Sequence, residues 1–197
     1  EMDSYKERYA VETEASAHEQ VLEGADIFLG LSVAGVLKPE FLAKLAPKPL
    51  IMALANPEPE IMPDIAREAR PDAIIATGRS DFPNQVNNVL CFPFLFRGAL
   101  DCSATEINSA MKMACVKAIA DLALEQASDI VQSAYGGQNL LFGPEYLIPK
   151  PFDPRLMESI SPAVAKAAMD SGVALRPLAS LEDYREHLHR QVFRTSV

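Results

Sequence analysis

This chain has little of what marks several large functional classes. It carries no basic run, and 18 Lys and Arg stand against 27 Asp and Glu for a formal net charge of -9. That argues against a surface for nucleic acid or an anionic membrane, both of which need clustered cations. No apolar run approaches the roughly 18–20 residues of a transmembrane helix. The opening EMDSYKERYA is polar and is read as carrying no signal peptide, so a cytoplasmic location is expected. Three cysteines (Cys91, Cys102, Cys115) form no C-x-x-C pair and read as reduced thiols. The histidines offer no metal site, since His187 and His189 are two apart and point to different faces of a helix. There is no G-x-G-x-x-G, and the spacing of Gly30 and Gly35 fits neither a dinucleotide turn nor a P-loop. No Ser-His-Asp, Cys-His or paired-carboxylate constellation emerges, so no catalytic residue and no metal ligand is assigned within the chain.

What is present is a patterned α/β sequence. Of its 197 residues 49% are hydrophobic and 23% charged, ordinary for a globular protein with a real core. IFLGLS (27–32), LIMALAN (50–56) and AIIAT (73–77) read as strands. SAHEQVLEGAD (16–26), KPEFLAKLAP (38–47) and MPDIAREARP (62–71) read as the helices around them, with Gly24 as a stop and Pro39 and Pro63 in first turns. Strand–helix alternation is the signature of βαβ units, so the expectation is part of a Rossmann-like doubly wound parallel sheet followed by C-terminal helices. Residues 86–101 read as a helix that Pro93 should end or kink. Residues 105–127 read as a long helix with Thr105 as N-cap. Residues 134–156, with four prolines and three glycines, read as an ordered irregular segment, and helices are expected within 155–171 and 181–193.

As domains, residues 1–133 are expected to form a partial dinucleotide-binding unit whose first βαβ half lies upstream. Residues 134–180 would be the irregular segment and a helix packing back, and 181–197 a terminal helix or connector.

Ligands of open parallel sheets bind at the carboxyl ends of the strands. Three loops fall there: Ser32-Val33-Ala34-Gly35, Asn56-Pro57-Glu58, and Thr77 to Asp81. They offer hydroxyls, backbone amides and a carboxamide, which suits a neutral polar ring or a carboxylate held by uncharged donors. Asn56 and Ser32 could equally cap the following helices. Asn84, Gln85, Asn87 and Asn88 put four carboxamides in five residues, more than local backbone bonding needs, which favours a ligand-facing cluster. Arg79 and Asp81 are expected to brace their loop, Arg97 to form an internal ion pair, and Lys150 to be structural.

MALANPEPEI (52–61), DAIIATGRSDFPNQVNNVLCFPFLFRGALD (72–101), ATEIN (104–108) and FGPEYLIPKPFDPRL (142–156) resemble the C-terminal, NAD(P)-binding half of bacterial malic enzymes. The tail LEDYREHLHRQVFRT (181–195) resembles the connector to a phosphotransacetylase-like domain in the large two-domain members. The resemblance implies oxidation of malate with NAD or NADP, then decarboxylation to pyruvate and CO2 with Mg2+ or Mn2+. It implies that Ser32, Val33, Ala34 and Asn56 meet the cofactor, and that Asn56, Asn87 and Asn88 meet the substrate. The family's Tyr and Lys, its acidic metal ligands and its glycine-rich turn match nothing here. An N-terminal catalytic half is therefore the expected partner, in a homo-oligomer, and the chain alone is expected to be inactive. The alternatives are another 2-hydroxy-acid or amino-acid dehydrogenase, or a non-catalytic Rossmann-like interaction module.

Overall fold

The structure, a computed structural model, describes residues 3–4, 6–15, 17–127, 129–136 and 140–194. Internal contacts divide the chain into a unit of residues 1–74 and a unit of residues 75–197.

The first unit alternates short helices and strands: α1 (His18–Val21), β1 (Ile27–Gly30), α2 (Pro39–Leu42), β2 (Leu50–Ala53) and α3 (Pro63–Ala69). β1 and β2 pair in parallel, from Ile27 opposite Leu50 to Gly30 opposite Ala53. β3 (Ile74–Thr77) completes the sheet in the order β1-β2-β3, and the Ile74 N–H donates to the Pro49 carbonyl. Proline opens both α2 and α3, where its missing N–H costs nothing. Leu42, Ile51, Ala53 and Ala66 are fully buried between helices and sheet. Arg70 braces the end of α2 and the turn after it by donating to the carbonyls of Leu42, Leu45 and Ala46. Asp72 holds that guanidinium in place, and the same pairing keeps the Asp72 carboxyl well below the usual carboxylate range.

One face of β1 is not covered. Ile27 and Leu29 of β1, with Leu31 and Val33 of the loop that follows, are 54–72% exposed. Beside them Val21 is also exposed, and the strand borders an open trough of about 470 Å³ whose lining includes Val21, Leu29 and Ser32.

The second unit is a helical assembly. After a 3-10 turn at Asn88–Leu90 come α4 (Phe92–Asp101), α5 (Ser109–Leu124), α6 (Asp129–Ala134), α7 (Arg155–Asp170) and α8 (Leu181–Arg194). α4, α5, α7 and α8 share one core, centred on Leu95, Met111, Cys115, Leu156, Ile160, Val164 and Leu188. α7 approaches α4 closely at Gly98, where a Cβ would collide with the Ser161 carbonyl. The Ser161 hydroxyl reinforces the contact by donating to the Phe94 carbonyl at 3.0 Å. Pro162 inside α7 deprives the Glu158 carbonyl of its helical donor, and Arg185 of α8 supplies one from its Nε at 3.4 Å. A third link is made by the Tyr184 hydroxyl, which donates to Asp101 while Arg97 pairs with the same carboxylate.

Several boundaries differ from the sequence reading. Pro93 occupies the first turn of α4 and neither ends nor kinks it. The long helix begins at Ser109, and its N-cap is Asn108, whose Oδ1 accepts from the Met111 N–H; Thr105 instead bonds the Val173 carbonyl. Pro93 is tolerated because the helix starts only at Phe92, and Thr105 is lost as a cap because its side chain is committed to a tertiary contact invisible in local sequence. The described part of 140–154 is irregular, with Leu140 and Tyr146 buried. α8 buries Tyr184 and Leu188 against the shared core, so it is not a fully solvated helix.

Candidate functional site

The loops after β1 and β2 carry the first four expected site residues. Ser32, Val33, Ala34 and Asn56 are all exposed. Among the described residues the Ser32 hydroxyl and the Asn56 carboxamide make no hydrogen bond, so neither is spent on capping a helix. The Asn56–Pro57 peptide is cis.

Both loops rest on a residue the sequence reading did not single out. Glu60 is fully buried. One carboxylate oxygen accepts from the Ser32 N–H at 2.8 Å and the other from the Ala55 N–H at 3.1 Å. Its backbone carbonyl accepts from the Leu37 N–H at 3.1 Å, and the neighbouring Pro59 carbonyl from Gly35 at 3.3 Å. No cation pairs with it among the described residues. Two charge-assisted backbone bonds, each worth about 1.5–3 kcal/mol, are what keeps a buried carboxylate there. Gly30 makes the space, because a Cβ at that position would overlap the Glu60 carboxylate. The signal was present in the sequence: a glycine inside an apolar strand marks a close approach by another group.

The amide-rich tract resolves into separate jobs. Asn84 is buried, with φ of 54°, and donates from Nδ2 to the carbonyls of Ile75 and Pro144 while Oδ1 accepts from the Leu147 N–H. Gln85 lies 3.4 Å from the Gly78 carbonyl. Asn87 caps the 3-10 turn by accepting from the Val89 N–H at 3.0 Å. Only Asn88 is exposed with its carboxamide uncommitted among the described residues. The four amides are therefore not one ligand-facing cluster, and local bonding absorbs more of them than the spacing suggested.

Arg79 and Asp81 form a two-point ion pair at 2.9 and 2.7 Å, which lowers the Asp81 carboxyl. Lys150 sits 5.1 Å from the Tyr135 ring, and burial pushes its ammonium down. His189 pairs with Glu158 at 2.9 Å. Among the described residues no three His, Cys, Asp or Glu side chains converge in a way that could hold a metal ion. No helix of the described residues is long and apolar enough to cross a membrane.

A parallel sheet with helices, ending in loops that bear neutral donors, defines a Rossmann-like nucleotide-binding segment. Residues 4–132 match the family model "Malic enzyme, NAD binding domain", and the chain belongs to that family. It is 63% identical over 194 residues to an NAD-dependent malic enzyme of Rhizobium meliloti, covering 98% of this chain and 25% of that protein. It is 60% identical over 197 residues to an NADP-dependent malic enzyme of Salmonella typhimurium, covering 100% and 26%. The crystal structure of malic enzyme from Pyrococcus horikoshii aligns at a TM-score of 0.73 with 37% identity, over 88% of this chain and 36% of that one. That of Entamoeba histolytica aligns at 0.75 with 33% identity, over 90% and 35%. The chain thus spans about a quarter of the length of the curated relatives named here. These relatives are malic enzymes by name, which favours that reading over a different dehydrogenase or a non-catalytic module.

Proposed function

We infer that this chain is the cofactor- and substrate-binding part of a malic enzyme. The reaction is oxidation of malate and loss of CO2 to give pyruvate, with reduction of NAD+ or NADP+. The observation that carries this reading is the pair of uncommitted carboxamides, Asn56 and Asn88, borne on strand-end or post-strand loops of a chain in this family. An amide offers both a donor and an acceptor. Asn56 can therefore hold the carboxamide of a nicotinamide ring or a malate oxygen without adding charge. Asn88 and Asn87 are assigned to the malate carboxylate, and Ser32, Val33 and Ala34 to the cofactor. The dinucleotide supplies the hydride acceptor; these residues bind and orient. Proton transfer and the Mg2+ or Mn2+ ligands are assigned to sequence outside this chain.

That remaining sequence is proposed to cover the exposed Ile27, Leu29 and Leu31, and the complete protein to be a cytoplasmic homo-oligomer. An apolar face of this kind is otherwise costly in water. The test is steady-state kinetics on the full-length protein with malate, Mg2+ and either dinucleotide. Formation of NADH or NADPH with pyruvate is expected. Asn56→Ala and Asn88→Ala should each lower kcat/KM for malate at least about tenfold. Wild-type rates in both variants would defeat the assignment.

A further inference from the structure

The loops at the ends of β1 and β2 come from positions more than twenty residues apart, yet both are hung on one side chain. Backbone amides of adjacent parallel strands have no reason of their own to keep a fixed spacing once the ladder ends, and here it ends at Gly30 and Ala53. Beyond that point the Gly30 carbonyl still accepts from Leu54, and then the Glu60 carboxylate takes over, with one oxygen on each loop. Ser32 and Ala55, the two residues so held, are the first expected cofactor residue and the immediate neighbour of Asn56. The carboxylate is fully buried and occupies the space a Cβ on Gly30 would take.

We propose that Glu60 is a positioning residue for the dinucleotide site: its carboxylate fixes the Ser32 and Asn56 loops relative to each other and so sets the spacing of the groups that meet the cofactor. The inference rests on reading those loops as cofactor-facing. Pre-ordering a loop spares the ligand the entropy of ordering it, so the effect falls on binding. Glu60→Gln keeps the shape but turns one acceptor oxygen into an NH2 group that confronts a backbone N–H. Glu60→Asp keeps both acceptors but shortens the reach.

The experiment uses the full-length protein. Expected for Glu60→Gln is a rise of about tenfold or more in KM for NAD(P)+ and a matching loss of NAD(P)H affinity by fluorescence titration, alongside a lowered thermal midpoint from the backbone N–H left unpaired. Glu60→Asp should recover part of that affinity. A Glu60→Gln protein with a lowered midpoint but wild-type KM and NAD(P)H affinity would make the residue merely structural and overturn the proposal. If that variant does not fold, amide exchange in the wild-type protein decides: the Ser32 and Ala55 N–H groups should be protected, and NAD(P)H should slow both together. Fast exchange at Ser32, or slowing at one amide alone, would overturn it. A wild-type protein with no NAD(P)-dependent malate oxidation would instead remove the functional reading, while exchange at the two amides still judges the strut.

Discussion

At the scale of single residues, the fate of the asparagines is instructive. Asn84 spends its carboxamide on three backbone groups drawn from two distant segments, and it is buried doing so. Asn84→Ala would leave those three groups unpaired at about 1–3 kcal/mol each, so a loss of at least about 3 kcal/mol is expected by chemical denaturation. Asn88→Ala, by contrast, should leave stability within about 0.5 kcal/mol of wild type, because an exposed side chain with no bond loses nothing. Composition alone could not separate the two, since their sequence surroundings are equally polar; what separates them is the 140–147 segment, which arrives from 60 residues away to use Asn84. Glu60 was hidden for the same reason: a glutamate among prolines reads as a solvated charge until the strand glycine opposite it is considered. Cys115 carries a prediction of its own. Burial, together with the Cys91 thiol 3.2 Å away, pushes its thiol up to about 12. The folded state then keeps a proton that the unfolded state releases above about 8.5, so this contribution to stability is intact below that pH and is lost progressively toward 12. Urea midpoints measured from pH 8 to 11 should fall in wild type and fall less in Cys115→Ala.

At the scale of elements, helix and strand identity was legible wherever apolar periodicity was strong, and the three strands and the four long helices lie where the pattern put them. The ends were less legible. Thr105 and Asn108 are both good cap residues, and only the docking of Thr105 on Val173 leaves the cap to Asn108. The crossing of α4 and α7 is the feature local sequence could least supply. By propensity alone a glycine at position 98 would weaken the helix, yet it is the contact surface itself. Gly98→Ala gains helix propensity of about 1 kcal/mol but must push Ser161 and Val164 aside, an overpacking cost of about 1–3 kcal/mol or more. A net fall in the thermal midpoint is expected by calorimetry, opposite in sign to the effect of the same change on an exposed helix.

For the whole molecule, the α/β class and the family were readable from sequence because the MALANPEPEI and SDFPNQVNNVL stretches combine strand ends with unusual amide content. The open face of β1 was not readable, since a strand buried on both sides and one bared on a side have the same apolar composition. That face predicts that the 197-residue chain by itself binds a hydrophobic dye and self-associates, as light scattering would show, and that Leu29→Lys with Leu31→Lys suppresses both. The same chain, tested alone with malate, NAD(P)+ and Mg2+, should give no turnover. The Gly30 and Glu60 pair, finally, is also a restriction on inheritance. Any side chain gained at position 30 evicts the carboxylate, and any loss of the carboxylate at 60 leaves a hollow under two loops. Neither position can drift by itself, so related sequences should change the two together or not at all, and a library randomised at both sites should return functional clones only as matched pairs.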